Sequence, residues 1–366
     1  MKNTFGCTLT VTVFGESHGE AIGAVIDGIA PGIEIDTAYI NKKLDMRRPR
    51  GTISTSRVEA DGYSIVSGVF EGYTTGTPIT VIIPNENKKS GDYLNLAKCP
   101  RPSHADYTAG IKYHGFQDDR GGGHFSGRIT AATVAAGAII QKALENKGIY
   151  IGTHIKYLDG ISDREFSDYQ SDINALDCVS FPVLDEKAGS MMTERIEAAR
   201  MDLDSVGGIL ETAVIGMPAG VGEPWFDSIE SQLAHAMFSI PAVKGVEFGA
   251  GFGIVNMRGS EANDPFVTDG KAVTTKTNKS GGINGGISNG MPIIMRCAIK
   301  PTPSIYKEQD TVDLSAMKNE KLEIKGRHDP AIIHRARVVA DAMTAIALAD
   351  LLTVRYGTDY LASSQK

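Results

Sequence analysis

The stretch 330–356, PAIIHRARVVADAMTAIALADLLTVRY, constrains the fold of this chain more than any other segment. It has a helical pattern, and it is so rich in alanine and aliphatic residues (AIALADLL) that its walls are read as buried on more than one side. Such a helix is central, and the rest of the chain has to enclose it. Asp329 ahead of Pro330 has the form of an N-cap, because the carboxylate can take a free N–H and the missing proline N–H costs nothing in the first turn.

What encloses the helix is mixed. Residues 8–14, 21–29, 63–70, 78–83, 151–158, 209–217, 246–257 and 292–300 alternate or are β-rich and are predicted strands. Helical patterns fall at 36–46, 129–147, 191–203 and 227–239, the last opened by a capping-box-like pair, Asp227 and Glu230. Both element types run through the whole length, so the class is α+β or α/β. The 366 residues allow one large domain or two ordinary ones, and no low-complexity linker divides them. A weak echo between IDGIAPGIEIDTAYINKKL and VIGMPAGVGEPWFDSIESQL is consistent with two related halves, or with ordinary strand, turn and helix grammar. The polar stretch 85–100 and the charged stretch 307–325 read as surface excursions.

A formal charge of −7 argues against a nonspecific nucleic-acid binder, which needs a basic footprint, while leaving room for an anionic small molecule held by local arginines. The four cysteines are far apart, with no CxxC pair and no Cys/His spacing of a zinc site, so no metal is expected. No apolar run approaches the roughly 18 to 20 residues that span a bilayer. With no signal-like segment in MKNTFGCTLT, a cytoplasmic location is expected.

The 41 glycines direct attention to loops. Gly15-Glu16-Ser17-His18-Gly19 follows a strand and sets an acid, a hydroxyl and an imidazole on one turn, where a histidine can protonate a partner. The same residues match the G-x-S-x-G nucleophile elbow of serine hydrolases, with Ser17 as nucleophile. That elbow needs a helix after the turn, whereas the next segment, AIGAVIDGI, reads as a strand. Arg101-Pro102-Ser103-His104-Ala105-Asp106 places a second histidine beside an arginine that can fork onto a phosphate or carboxylate. Asp118-Asp119-Arg120-Gly121-Gly122-Gly123-His124-Phe125-Ser126-Gly127-Arg128 runs into a helix, offering free N–H groups to an anion and close backbone approach to a flat ring. It lacks the Walker pattern. A fourth loop, GGINGGISNG at 281–290, leads through a strand to Lys300-Pro301-Thr302-Pro303-Ser304, and GAGFG at 249–253 lacks the third glycine of a dinucleotide fingerprint. Met46-Arg47-Arg48-Pro49-Arg50 closes a helix, where it is either a cationic cap or a carboxylate clamp. Taken singly, each of these loops is also compatible with an ordinary turn, and together they are compatible with a noncatalytic flavin- or phosphate-binding module.

In their order, however, FGESHG, RRP, RPSHADYT, DxRGGG, SIPAVKGVEFG, GGINGGIS, KPTPS and GRHDP resemble the chorismate synthase family from end to end. The resemblance implies an α+β fold, a single β-α-β sandwich domain over residues 1–366 with a helical layer between antiparallel sheets, and a homotetramer. It implies a lyase that converts 5-enolpyruvylshikimate 3-phosphate to chorismate and phosphate by trans-1,4 elimination. Reduced FMN is the implied cofactor, with NADPH entering only indirectly as a source of reducing equivalents. By the resemblance, His18 protonates reduced flavin, His104 protonates the leaving phosphate, and Asp329 with Ser17 and Ser126 tunes the flavin N5 position. The flavin is implied to lie against His124, Phe125, Ser126, Ala242, Gly285, Lys300, Pro301, Thr302, Pro303, Ser304 and Arg327. Arg47 matches a family arginine for an anion or nicotinamide phosphate, and Arg48 and Arg128 are implied to hold the substrate. Where the family commonly reads GGGRSSARET, this chain has GGGHFSGRIT, so His124, Phe125 and Ile129 change the flavin contacts. A second family arginine after RRP has no clear counterpart at 52–55, Arg57 being the nearest substitute.

Overall fold

The computed structural model describes residues 2–49, 51, 53–54, 61–86, 98–324 and 328–362. Its strands form two antiparallel five-stranded sheets. The first has the order β1 (Thr4–Phe5), β2 (Thr10–Gly15), β3 (Ala21–Asp27), β7 (Ile79–Pro84) and β4 (Ser64–Ser67). The second has the order β11 (Val243–Phe248), β16 (Ile293–Ile299), β10 (Gly208–Ile215), β8 (Tyr150–Leu158) and β9 (Ile161–Ser162). Small hairpins complete the set: β5 (Val69–Phe70) with β6 (Tyr73–Thr74), β12 (Phe266–Thr268) with β13 (Val273–Thr275), β14 (Ile283–Asn284) with β15 (Ile287–Ser288), and β17 (Gln309–Asp313) with β18 (Lys318–Leu322).

The helices are α1 (Thr37–Arg47), α2 (Asp106–Lys112), α3 (Thr130–Glu145), α4 (Tyr169–Leu176), α5 (Glu186–Met201), α6 (Ile229–Phe238), α7 (Gly259–Ala262) and α8 (Ile333–Tyr356). Helices α3 and α8 lie against each other, and each touches both sheets: α3 packs on β3 and β7 of the first and β8 of the second, α8 on β8 and β10 of the second and β2 of the first. Nearly every side chain of α8 from Ile333 to Thr353 is buried, so the central position read from its composition is the observed one. The two helices approach so closely that a β-carbon on Gly137 of α3 would stand 2.4 Å from that of Ala342. Each sheet turns an alternating apolar row inward. Ile22, Ala24 and Ile26 pair in register with Ile83, Val81 and Ile79, and Ile293, Met295, Cys297 and Ile299 alternate along β16.

Three local expectations are corrected. The last helix starts at Ile333, past Asp329, which pairs with Arg335 and is not the N-cap of this helix. Helix α6 is capped by the hydroxyl of Ser228, because Trp225–Asp227 forms its own short turn and leaves Asp227 outside. The strand expected to reach 257 stops at Phe248, since Gly249 and Gly251 adopt positive φ and residues Gly251–Asn256 coil helically. The charged stretch 307–325 contributes the β17–β18 hairpin; its residues are polar because most of them face solvent.

Candidate active site

The GESHG turn joins β2 to β3 as a hairpin, with Gly15 at φ +95°. It is tied to the glycine loop in the middle of the chain. The Ser17 N–H donates to the Gly123 carbonyl at 3.1 Å, and the His124 Nδ1 lies 2.7 Å from the Gly15 carbonyl. Gly121, Gly122 and Gly123 all have positive φ, a run that side-chain-bearing residues avoid. The consequence is close backbone approach on two sides. A β-carbon on Gly121 would be 2.1 Å from Cε1 of His18, and one on Gly122 would be 3.4 Å from Cε1 of His104. The two histidines, far apart in sequence, thus flank one glycine ribbon.

Ser17 is buried, and its hydroxyl lies 3.1 Å from Nδ1 of His18, 3.2 Å from the Arg120 carbonyl and 3.3 Å from the Gly121 carbonyl. With one hydrogen and two carbonyl acceptors near it, the hydroxyl gives its proton to the backbone and accepts from His18. That arrangement, in a strand–turn–strand, is not a nucleophile elbow, so the hydrolase reading of Ser17 fails on geometry. On the other side of the ribbon, the Asp106 carboxylate accepts from Nδ1 of His104 at 2.6 Å and from the Arg101 fork at 2.8 Å on each oxygen. Burial pulls the Asp106 carboxyl upward, but the hydrogen bonds from Arg101 and His104 outweigh it and hold it well below the usual carboxylate range. A cleft of about 770 Å³ opens beside His104, between α2, the glycine loop and the β17–β18 hairpin, with Phe125, Ile111 and Met317 in its walls. Phe125 meets Tyr113 edge-on, ring centres 6.0 Å apart.

A second cluster is cationic. Asp61 lies between Arg47, at 2.9 Å, and Arg128, and both guanidiniums are buried. Arg128 is held further by the Asn85 side chain at 3.0 Å, and Asn85 in turn grips the Glu16 and Gly19 carbonyls of the GESHG turn. Arg335, from the first turn of α8, donates to the Arg47 carbonyl at 2.8 Å and pairs with Asp329 at 2.9 Å. Burial, together with Arg335 and Arg128 nearby, lowers the pKa of Arg47, and Asp61 opposes this. The guanidiniums of Arg47, Arg128 and Arg335 are thus gathered around Asp61 and Asp329 in one poorly hydrated place. Arg48 pairs with Asp45 nearer the surface.

The remaining expected contacts lie around the end of β16. The Lys300 N–H donates to the carbonyl of Ala242, a residue at φ +77°, and its ammonium bonds the Ser103 carbonyl, so the KPTPS segment is fastened to the loop that carries His104. Burial, with Lys244 nearby, lowers the Lys300 pKa. Pro301 is exposed, Pro303 half-buried and Ser304 buried; Thr302 Oγ1 is buried and makes no hydrogen bond among the described residues. A buried hydroxyl of this kind is a donor that a phosphate oxygen or a ring edge of a bound flavin could take. Ser126 caps the short turn ahead of α3 through the Arg128 N–H. Gly285 sits in the β14–β15 turn, whose neighbour Gly286 accepts from the first N–H of α6. Arg327 and Arg57 lie outside the described residues.

Asp61, Asn85 and Arg335 were not among the residues expected from sequence. Arg335 carried a signal, a charge in the first turn of a helix whose walls are otherwise mostly apolar. Asn85 falls in a stretch read as surface, and nothing in the order of residues ties Asp61 to the arginines.

Comparison with known proteins gives one answer. The family model described as chorismate synthase matches residues 9–353. A chorismate synthase of Pyrococcus abyssi is 48% identical over 350 residues, 96% of this chain and 97% of its own. One from Methanosarcina mazei is 46% identical over 349 residues, 95% of each chain. A solved structure titled "Crystal Structure of Chorismate Synthase" superposes with a TM-score of 0.74 at 29% identity, over 96% of this chain and 93% of that one.

Proposed function

The chain belongs to the chorismate synthase family, and from that membership we propose the roles of its site residues. The reaction is a carbon–oxygen lyase step in aromatic amino acid biosynthesis: trans-1,4 elimination of phosphate from 5-enolpyruvylshikimate 3-phosphate to give chorismate. The observation that carries the assignment of roles is the glycine ribbon between His18 and His104.

Reduced FMN, when bound, supplies electron density that eases loss of a poor allylic leaving group and accepts it back as the neighbouring C–H breaks. What supports a flavin here is the glycine ribbon that brings His18 and His104 to its two sides and the buried Thr302 hydroxyl, which has no hydrogen-bond partner among the described residues. His124, Phe125, Ser126, Ala242, Gly285, Lys300–Ser304 and Arg327 would hold it. His18 holds a proton for the flavin, with its ring fixed by the Ser17 hydroxyl. His104 offers Nε2 to the departing phosphate oxygen, since Nδ1 is taken by Asp106. Arg47, Arg128 and Arg335 oppose the charge of a substrate with two carboxylates and a phosphate, and Arg48 stands at their edge. Asp329, Ser17 and Ser126 tune the protonation of the flavin N5 position.

The finer description of the fold is the family's β-α-β sandwich, a single domain, which the large hydrophobic cluster drawing on both sheets and the helices between them supports. Exposed Trp225, Phe226, Phe252 and Val255 support assembly into a homotetramer. Among the described residues no helix is long and apolar enough to cross a membrane, in keeping with a cytoplasmic enzyme. NADPH serves only indirectly, through an external source of reduced flavin.

An anaerobic assay with the shikimate substrate and chemically reduced FMN tests the reading. Chorismate absorbance and stoichiometric phosphate are the expected result. Flavin and substrate that bind without turnover would overturn it, and labelling of Ser17 by a fluorophosphonate would return the hydrolase.

A further inference from the structure

We propose that Asp106 is a positioning residue for the elimination: its carboxylate holds the His104 imidazole and the Arg101 guanidinium as one rigid unit, leaving Nε2 of His104 as the atom that meets the departing phosphate. The inference rests on the reading of His104 as the proton donor.

The hydrogen bonds leave one arrangement. A carboxylate can only accept, so the 2.6 Å contact from Asp106 Oδ1 to Nδ1 of His104 requires the proton to sit on Nδ1. Arg101 Nη2 lies 3.0 Å from that same nitrogen and cannot also donate to it; its hydrogen goes to Oδ1 at 2.8 Å. Oδ2 accepts Nε of Arg101 at 2.8 Å and the Arg101 backbone N–H at 3.0 Å. Four donors occupy the carboxylate, two on each oxygen, and so it cannot rotate away. The loop is pinned at both ends, by Thr311 on the Pro100 carbonyl and Lys300 on the Ser103 carbonyl.

With Nδ1 committed, only Nε2 can exchange a proton with a ligand. Nε2 faces the glycine ribbon, where a β-carbon on Gly122 would stand 3.6 Å from it, and His104 borders the open cleft. Asp106 does not donate the proton itself, because its hydrogen bonds keep it ionised. The Arg101 guanidinium, forked onto both oxygens of the same carboxylate, keeps that carboxylate in the orientation that serves His104.

The test is a double-mutant cycle under anaerobic turnover with reduced FMN, alongside ¹⁵N-histidine spectra of the intact protein. Asp106→Asn should lower kcat on the order of a hundredfold with KM changed by less than about threefold, as for loss of a correctly held imidazole. In a His104→Ala background the same change should cost less than about twofold, because the residue acts only through His104. The His104 ring should lose its fixed Nδ1–H form in Asp106→Asn and regain it in part, with part of the rate, in Asp106→Glu. Losses that multiply in the double variant, or a ring form unchanged while kcat falls, would overturn the role of Asp106. A full rate in His104→Ala would instead sink the reading of His104, and the inference with it; the spectra tell these failures apart.

Discussion

Gly121 stands against His18 with no room for a methyl group: its φ is +61°, and a β-carbon there would overlap Cε1 at 2.1 Å and Nδ1 at 2.4 Å. The imidazole is therefore placed by a missing side chain. Gly121→Ala should displace the ring by about an ångström and lower kcat on the order of a hundredfold, with a stability loss of about 1–2 kcal/mol from the left-handed backbone. Anaerobic turnover and thermal unfolding measure the two effects separately.

If the histidines on either side of the ribbon are the proton donors, His18→Ala and His104→Ala should each cost on the order of a hundredfold or more in rate. Ser17→Ala should cost less, since the hydroxyl only accepts from His18. Steady-state kinetics on the three variants check this; full activity in both histidine variants would remove the assignment.

Asp61 compensates Arg47 and Arg128 in a buried place. Removing its charge in Asp61→Asn should destabilise the fold by about 3–5 kcal/mol. Added sulfate or substrate should restore more of the unfolding temperature in the variant than in the parent, because an anion can take the carboxylate's place. Equal shifts in both proteins would argue against an anion site there.

The contact of Gly137 with Ala342 makes a direct test of the helical layer. Gly137→Ala should cost about 1–3 kcal/mol by overpacking. Adding Ala342→Gly should recover part of it, since the clash is between the two β-carbons at 2.4 Å. Urea unfolding of the single and double variants provides the measurement.

Helix α8 carries two buried groups with opposite pH slopes. Burial, with Arg335 beside it, pushes His334 down to about 3 from 6.5, while burial pushes Asp341 up to about 6 from 3.8, against the pull of Lys43 and Arg337. The unfolded histidine takes a proton that the folded one refuses, so the stability it contributes is complete above about pH 6.5 and falls as pH drops toward 3. Folded Asp341 keeps a proton that the unfolded chain releases, so its share falls as pH rises from about 4 to 6. Between about pH 4 and 6 the two oppose, each at up to ~1.4 kcal/mol per pH unit. Relative to the parent, Asp341→Asn should lose stability on going from pH 6 to 4.5, and His334→Gln should gain it, in urea unfolding at the two pH values.

Much of the fold was legible in the sequence where a period and its burial coincide. The predicted strands 21–29, 78–83 and 292–300 and the buried last helix fall where β3, β7, β16 and α8 lie, because alternation of two and a long helix rich in alanine and aliphatic residues leave few alternatives. Caps were less legible. Asp227 and Asp329 have the right chemistry for N-caps, but a tryptophan turn and an ion pair to Arg335 claimed them. Polar hairpins such as β17–β18 escaped because their alternation carries little hydrophobic signal.

The chain's order of motifs by itself determined the family and singled out His18, His104, Arg47, Arg128 and the glycine run, since those residue types are the ones that move protons, hold anions and let backbone approach a ring. Only the tertiary structure decided how they meet. It set the run of positive φ between two imidazoles, gave Asp106 to His104, and drew Asp61 and Arg335 in among the arginines. Hydrogen bonds and ion pairs between residues distant along the chain have no local period, so they become visible once sheets and helices have brought their ends together.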